Sequence, residues 1–406
     1  MMNFVKNIIP GIKYVPEYDP TDYPDIKALT YDGLPIGGMK TKVFAYIGYP
    51  ADCKNLNSEK LPAMVLVHGG GGHAFFEWVR LWNEAGYAAI AMDTTGFYPV
   101  RVNAGIRDGD SENWGYGIKA NPDFDEEGYA DAPTNDGMSS SDKELDAQWM
   151  YHAVADTILA HNILRNDDRV DNEKIGLTGI SWGGVITSIA IGYDDRYAFA
   201  IPIFGSGYLS KSLGSINKCF DNEATRKLWY AEHNFDKVKY PVFWFCWNDD
   251  TSFSIDANSK SYNDTVKNNP LTVISIKDKM YHSHYYGWIW KENYFFADSI
   301  VKNTTPFPRF LNQPKGKNIE CKLFIPDGIQ VSANVFYIDS PMTYSRHEKH
   351  GIKDCIFMDQ EWKSYHIGIT GDMIKCTLPD SAAGYYIELV TEIGGYKYIS
   401  SSEYIY

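Results

Sequence analysis

The sequence has no C-x-x-C pair, and its six cysteines (Cys53, Cys219, Cys246, Cys321, Cys355 and Cys376) are scattered singly along 406 residues. That spacing excludes a zinc finger or ribbon, and a chain this long has no need of a disulfide framework. Buried, reduced thiols are the expectation, which fits the cytoplasm. An excess of positive charge is also missing. The formal net charge is −14, which disfavours binding to nucleic acid or an anionic membrane, since phosphate attraction needs a basic face. No uninterrupted apolar run approaches the ~20 residues of a membrane span. The start, MMNFVKNIIPGIKYVPEYDP, is cut by Lys6, Pro10 and Lys13 and has neither an apolar signal core nor a cleavage site. No signal peptide is expected there. Internal repeats and low-complexity tracts are absent as well.

What remains is an ordinary globular composition, 44% apolar and 22% charged. The chain is longer than one hydrophobic core comfortably fills, so two domains are expected. Residues 1–40, rich in Pro, Tyr and Asp, read as an irregular lead-in. KVFAYIGYP reads as an early strand, PAMVLVHGGGG as a buried strand breaking into a tight loop, FEWVRLWNEAGY as a helix and AAIAMDTTG as another strand. Strand, helix and strand at these intervals predict a parallel, right-handed βαβ unit. Residues 97–140 break the rhythm, and their Gly, Asp and Asn with aromatics between them predict a long inserted loop. SDKELDAQWMYHAVADTILAHNILRN predicts a long amphipathic helix with Ser141 as N-cap and Glu144 closing a capping box. Strands are expected in KIGLTG, YAFAIPIF, PVFWFCW and LTVISIKD, and a closing helix in KENYFFADSIVKN. After a linker holding Pro306, Pro308 and NQPKGKN, residues 311–406 carry short alternating runs between turn residues. That spacing predicts a small antiparallel β-sandwich.

One stretch carries chemistry. LTGISWGGVI sets Ser181 between Gly179 and Gly183, directly after a strand and before a helix. A sharp strand-to-helix turn needs glycines where side chains would collide, and G-x-S-x-G in this context is the nucleophile elbow of α/β hydrolases. A hydroxyl is a poor nucleophile at its own pKa and needs a base. In this fold an acid and then a histidine follow the serine along the chain. Asn248-Asp249-Asp250 follows one strand and KMYHSHYYG the next, where parallel sheets place their ligands. Asp249 or Asp250, and His282 or His284, are therefore the candidates. Donors for an oxyanion are expected from the backbone N–H of Trp182 and from the HGGGGH loop around Gly70 and Gly71. No Gly-Lys-Ser/Thr follows those glycines, which excludes a phosphate loop. No metal site or cofactor is implied.

The turn KIGLTGISWGGVI, with QWMYHAVADTILAHNIL before it and DDRYAFAIPIFGSGYL after it, resembles bacterial acetyl xylan esterases and dienelactone-hydrolase-like proteins. These form part of the prolyl-oligopeptidase-like branch of the α/β hydrolases, and the resemblance covers roughly residues 40–305. It implies a catalytic domain over residues 41–305 and an accessory role for the sandwich. WNDDTSFSID is similar to a family segment N-D-x-x-x-x-x-D, and matching its far end on Asp256 makes Asp250 the triad acid. The position of the family's base implies His282, with His284 and Asp249 as alternates. Ser181 departs from the cysteine of dienelactone hydrolases proper, and about 40 leading residues cannot form the propeller of prolyl oligopeptidases.

The expected function is that of a serine esterase acting on a small ester, with an acetylated oligosaccharide as the implied partner. Trp114, Tyr116, Trp182 and Trp247 are candidate stacking faces for sugar rings. No nucleic-acid or membrane partner is expected, and a homo-oligomer is compatible with the sequence. A peptidase or amidase on the same residues, or a hydrolase fold that only binds, are the alternatives.

Overall fold

Strands buried on both faces read as continuous apolar runs, and such runs separated by helices build a covered parallel sheet. The protein is described by a computed structural model over residues 1–51, 59–96, 98–101, 116–119, 129–349 and 352–406. Its centre is six parallel strands in the spatial order Ala88–Met92, Leu61–Val67, Val170–Ile180, Phe199–Ile203, Phe243–Trp247 and Val273–Lys277. Four of them (AAIAM, FAIPI, FWFCW and VISIK) are buried at every residue. Helices Phe76–Glu84, Trp149–Arg165, Trp182–Ala190, Ile255–Val266 and Glu292–Val301 connect or cover them. On one side Met39–Gly48 pairs antiparallel with Ala88–Met92, and Ile26–Ile36 pairs antiparallel with Met39–Gly48. This order, with one antiparallel strand near its start and the serine turn after Val170–Ile180, is the α/β-hydrolase fold.

Three expectations differ from what forms. The first 40 residues are not simply irregular, because Ile12–Tyr14 and Ile26–Ile36 are strands of the main sheet. Their Pro, Tyr and Asp residues hid a long hairpin partner whose register is set by Met39–Gly48. The helix expected from Ser141 starts at Trp149, after a short 3-10 turn, and Gln148 is its N-cap residue. Ser141 instead donates to the Met138 carbonyl at 2.9 Å and receives a bond from Thr225. That helix is also not amphipathic. Nearly all of it is buried, polar His152, Asp156, His161 and Asn162 included, because the N-terminal turn at Val5 and the helix after Ser181 both pack on it.

Beside the separate antiparallel hairpin of Tyr344–Lys349 and Ile352–Met358, the described strands from residue 309 on form two antiparallel groups. Arg309–Phe310, Asn318–Phe324, Met373–Thr377 and Ile369–Thr370 make one sheet. A separate buried cluster, with Ile319, Leu323, Val335, Ile374, Ile387 and Leu389, joins it to strands Val331–Ile338, Lys363–Ile367 and Gly384–Ile393. Those last strands are not detached from the hydrolase sheet. Tyr396–Ser401 pairs antiparallel with Val273–Lys277 and carries the central sheet on into them. An unpaired edge at Val273–Lys277 would offer its backbone to any passing strand, and this pairing covers it. Among the described residues, no helix is long and apolar enough to cross a membrane.

Candidate active site

The serine turn is built by close approach. A Cβ at Gly179 would overlap the Gly183 carbonyl, and one at Gly183 would overlap the Val67 carbonyl of the neighbouring strand. Freed of both, the chain reverses so tightly that Ser181 sits at φ 58°, ψ −117°, a conformation L residues rarely adopt. Its N–H donates to the Ile203 carbonyl at 2.9 Å, which pins the turn. Two neighbouring loop residues share the left-handed region, Phe204 (φ 64°) and Tyr281 (φ 53°). Strain of this kind collects where surrounding structure over-determines the backbone.

The strand ends bring three side chains together. His282 Nε2 lies 2.8 Å from Ser181 Oγ, and its Nδ1 lies 2.8 Å from Asp250 Oδ2. Because the carboxylate only accepts, Nδ1 carries the proton and Nε2 faces the hydroxyl as an acceptor. Asp250, 1% exposed, also accepts from the backbone N–H groups of Ser252 (2.8 Å) and Phe253 (2.9 Å) through Oδ1. Its second oxygen is thus left for the imidazole. The ring itself lies between two aromatic faces, Phe204 (centroids 4.5 Å, 20°) and Phe253 (5.6 Å, 16°). Neither phenylalanine was singled out from the sequence. The signal available was only their place in the loops after two parallel strands.

His284 does something else. Its Nε2 accepts the Gly69 N–H at 2.9 Å, and its ring packs on Phe75 at 4.9 Å. Burial, with His68, His73 and His282 nearby, lowers its pKa to about 3, so it stays neutral and keeps that lone pair for Gly69. The glycine run exists to let this happen. A Cβ at Gly69 would stand 2.8 Å from the Ile180 carbonyl and 3.0 Å from Ser181 Cβ. One at Gly72 would stand 2.7 Å from His284 Nε2, and one at Gly70 2.7 Å from the Trp182 indole. His68 locks the loop from below, bonding the Gly69 carbonyl through Nδ1 (2.7 Å) and accepting the Thr94 N–H through Nε2 (3.0 Å).

With the Gly69 N–H bound to His284 and the Gly72 N–H to the Gly69 carbonyl, Gly70 and Gly71 keep donors with no acceptor among the described residues. The Trp182 N–H stands at the first position of its helix, where no intrahelical acceptor exists.

The remaining candidates are distributed as follows. Asp249 pairs with Lys349 at 2.9 Å, while the imidazole bonds Asp250. Trp247 is buried at 6% exposure, packed against Tyr281. It ends a core strand and offers no open face to a sugar. Trp182, half-buried, packs on Trp149 and Phe220. Trp114 lies outside the described residues, and so does most of the inserted loop at 97–140; Tyr116 begins the short strand Tyr116–Lys119. Among the described residues, no group of three His, Cys, Asp or Glu side chains is arranged to hold a metal ion.

The acetyl xylan esterase family matches residues 11–211. No curated protein matches the chain in sequence. Among solved structures, acetyl xylan esterase 1 from Thermoanaerobacterium sp. JW/SL YS485 is 17% identical at a TM-score of 0.45, over 68% of this chain and 84% of that one. The acetyl xylan esterase from Paenibacillus sp. R4 is 18% identical at 0.43, over 69% and 85%. The acylaminoacyl peptidase of Pyrococcus horikoshii is 17% identical at 0.47, over 75% and 44%. On the strength of that family match, which spans just under half of the chain, the protein is a carboxylic ester hydrolase.

Proposed function

We propose that the protein is a serine esterase that removes acetyl groups from a carbohydrate or another small ester, with Ser181 as nucleophile, His282 as base and Asp250 as acid. The observation that carries this reading is the unbroken pair of 2.8 Å contacts from Ser181 Oγ through His282 to Asp250. Ser181 Oγ attacks the acyl carbon while its proton passes to His282 Nε2. The imidazolium formed is held by Asp250, which fixes the tautomer and ring orientation. Negative charge on the carbonyl oxygen is met by the backbone N–H groups of Trp182 and of Gly70 or Gly71. Collapse expels the alcohol, which takes the proton back from His282 and leaves an acetyl-Ser181 ester. Water, deprotonated by the same Nε2, then releases acetate and restores the serine. The acetyl preference rests on the family match, and the Trp182 indole beside Gly70 is the aromatic face we assign to the alcohol portion.

The test is hydrolysis of p-nitrophenyl acetate, p-nitrophenyl butyrate and a p-nitroanilide by the wild type and by Ser181→Ala, followed by acetate release from acetylated xylo-oligosaccharide. Cleavage that depends on Ser181 and favours the acetate supports the proposal. Preference for the anilide would replace it with an amidase. Equal rates for wild type and variant would remove Ser181 from the chemistry.

A further inference from the structure

The acid turn Asn248-Asp249-Asp250 is held by residues that come about a hundred positions later, from the part of the chain that carries none of the proposed triad. Lys349 ends the strand Tyr344–Lys349, which pairs antiparallel with Ile352–Met358. Its ammonium reaches Asp249 Oδ2 at 2.9 Å, and the Met358 and Gln360 carbonyls at 3.1 and 3.5 Å. The Lys349 and Asp249 side chains are 10% and 5% exposed. Tyr344 Oη donates to the Asp250 carbonyl at 3.3 Å. Trp362 Nε1 donates to the Asn248 carbonyl at 3.1 Å, and Asn248 Nδ2 donates to Tyr386 Oη at 3.1 Å. Every residue of the turn is thus tied to the C-terminal strands.

We propose that this C-terminal hairpin is a working part of the active site, with Lys349 as a positioning residue that fixes Asp249 so that the adjoining Asp250 carboxylate stays aimed at His282. The inference rests on the triad reading above. Two adjacent buried carboxylates repel, and the turn would relieve that repulsion by swinging one of them toward solvent. Lys349, which also has the exposed Glu361 at 3.7 Å, offsets the charge of Asp249 and leaves that of Asp250 to the imidazole. A buried ion pair is a poor source of net stability, because desolvation cancels much of its attraction. Holding one geometry is the role that remains for it.

The experiment compares Lys349→Met, Lys349→Arg, Asp249→Asn and the double variant Lys349→Met/Asp249→Asn with the wild type and Ser181→Ala, all as full-length chains. Turnover of p-nitrophenyl acetate is measured per folded molecule, and the strongly deshielded Nδ1 proton of His282 is followed by NMR. Lys349→Met and Asp249→Asn are each expected to lose about tenfold in kcat, the scale of a small misplacement, with KM held within about twofold. The double variant should be no worse than either, since the pair acts as one unit. Lys349→Arg should recover most of the rate, and the deshielded proton should shift or broaden in the single variants. Unchanged kcat and an unchanged proton signal in Lys349→Met, beside an inactive Ser181→Ala, would overturn the clasp alone. Activity persisting in Ser181→Ala would overturn the site reading and the clasp with it. Should Lys349→Met fail to fold, Tyr344→Phe and Trp362→Phe each delete one of the other ties. They are read in the same way, with a fall of about threefold in kcat expected and no fall counting against the clasp.

Discussion

Ser181 holds a backbone conformation that costs on the order of 1–3 kcal/mol in an L residue, and its neighbours show what holds it there. The N–H is tied to Ile203, and the carbonyls of Val67 and Gly183 approach where glycine alone leaves room. His284 acts on the facing loop by accepting the Gly69 N–H. Replacing it with Phe leaves that buried donor without its partner, a penalty of about 1–3 kcal/mol, and lets the glycine loop drift from Ser181. We predict that His284→Phe lowers kcat by roughly tenfold with KM little changed. His282→Ala is predicted to lower kcat by roughly 10⁶-fold, the scale for loss of a triad base. Steady-state kinetics on p-nitrophenyl acetate decide. Equal losses would mean that both rings serve the base step. At this scale the sequence was highly informative about Ser181, because an elbow is a local pattern of five residues. It left His282 against His284 and Asp249 against Asp250 open, since the two members of each pair sit in one short loop. Only the fold decides which side chain turns toward the serine.

At the scale of the element, the strand-turn-helix around Ser181 depends on two missing side chains. Gly183→Ala would drive a methyl into the Val67 carbonyl, a main-chain atom of a central strand that cannot move aside. We predict a loss of about 3 kcal/mol in unfolding free energy, the upper range for overpacking, measurable by urea titration. A stable, active Gly183→Ala would show that the turn has slack. The central strands were legible because burial on both faces leaves continuous apolar runs. The helix Trp149–Arg165 was read with the wrong character because its polar residues looked like a solvent face. His161 in fact bonds Asp194 at 2.9 Å, and Asn162 Nδ2 donates to the Val5 and Ile8 carbonyls. Buried polar groups that find partners far along the chain leave no periodic trace. Phe204, Phe253 and Lys349 escaped notice for the same reason, since each matters through a contact that only the assembled sheet creates.

At the scale of the whole molecule, the C-terminal strands read as a separate sandwich but share the central sheet through Tyr396–Ser401. They also hold the acid turn. A chain ended after residue 305 would expose the edge of Val273–Lys277 and free Asn248-Asp249-Asp250, so we predict aggregated, inactive material on expression. A soluble fragment with wild-type kcat would contradict this. Acid should also weaken the fold through buried neutral histidines. Burial lowers the pKa of His73 to about 4, below its ordinary value near 6.5. Between those two values the unfolded chain binds a proton that the folded chain refuses, so stability falls as pH drops through this window. His73→Gln is expected to lose about 2 kcal/mol less than the wild type between pH 7 and pH 5, as read by urea unfolding at both values. Parallel pH curves would exclude His73 as a contributor.

The central claim is that Ser181 forms the acyl-enzyme. Its most direct test is intact-mass and peptide-mapping analysis of the protein after titration with a fluorophosphonate, with esterase activity followed in parallel. One adduct per chain, on the peptide holding Gly179-Ile180-Ser181-Trp182, with activity lost in proportion, is the predicted result. An adduct on another residue, or activity that survives complete labelling of Ser181, would contradict it.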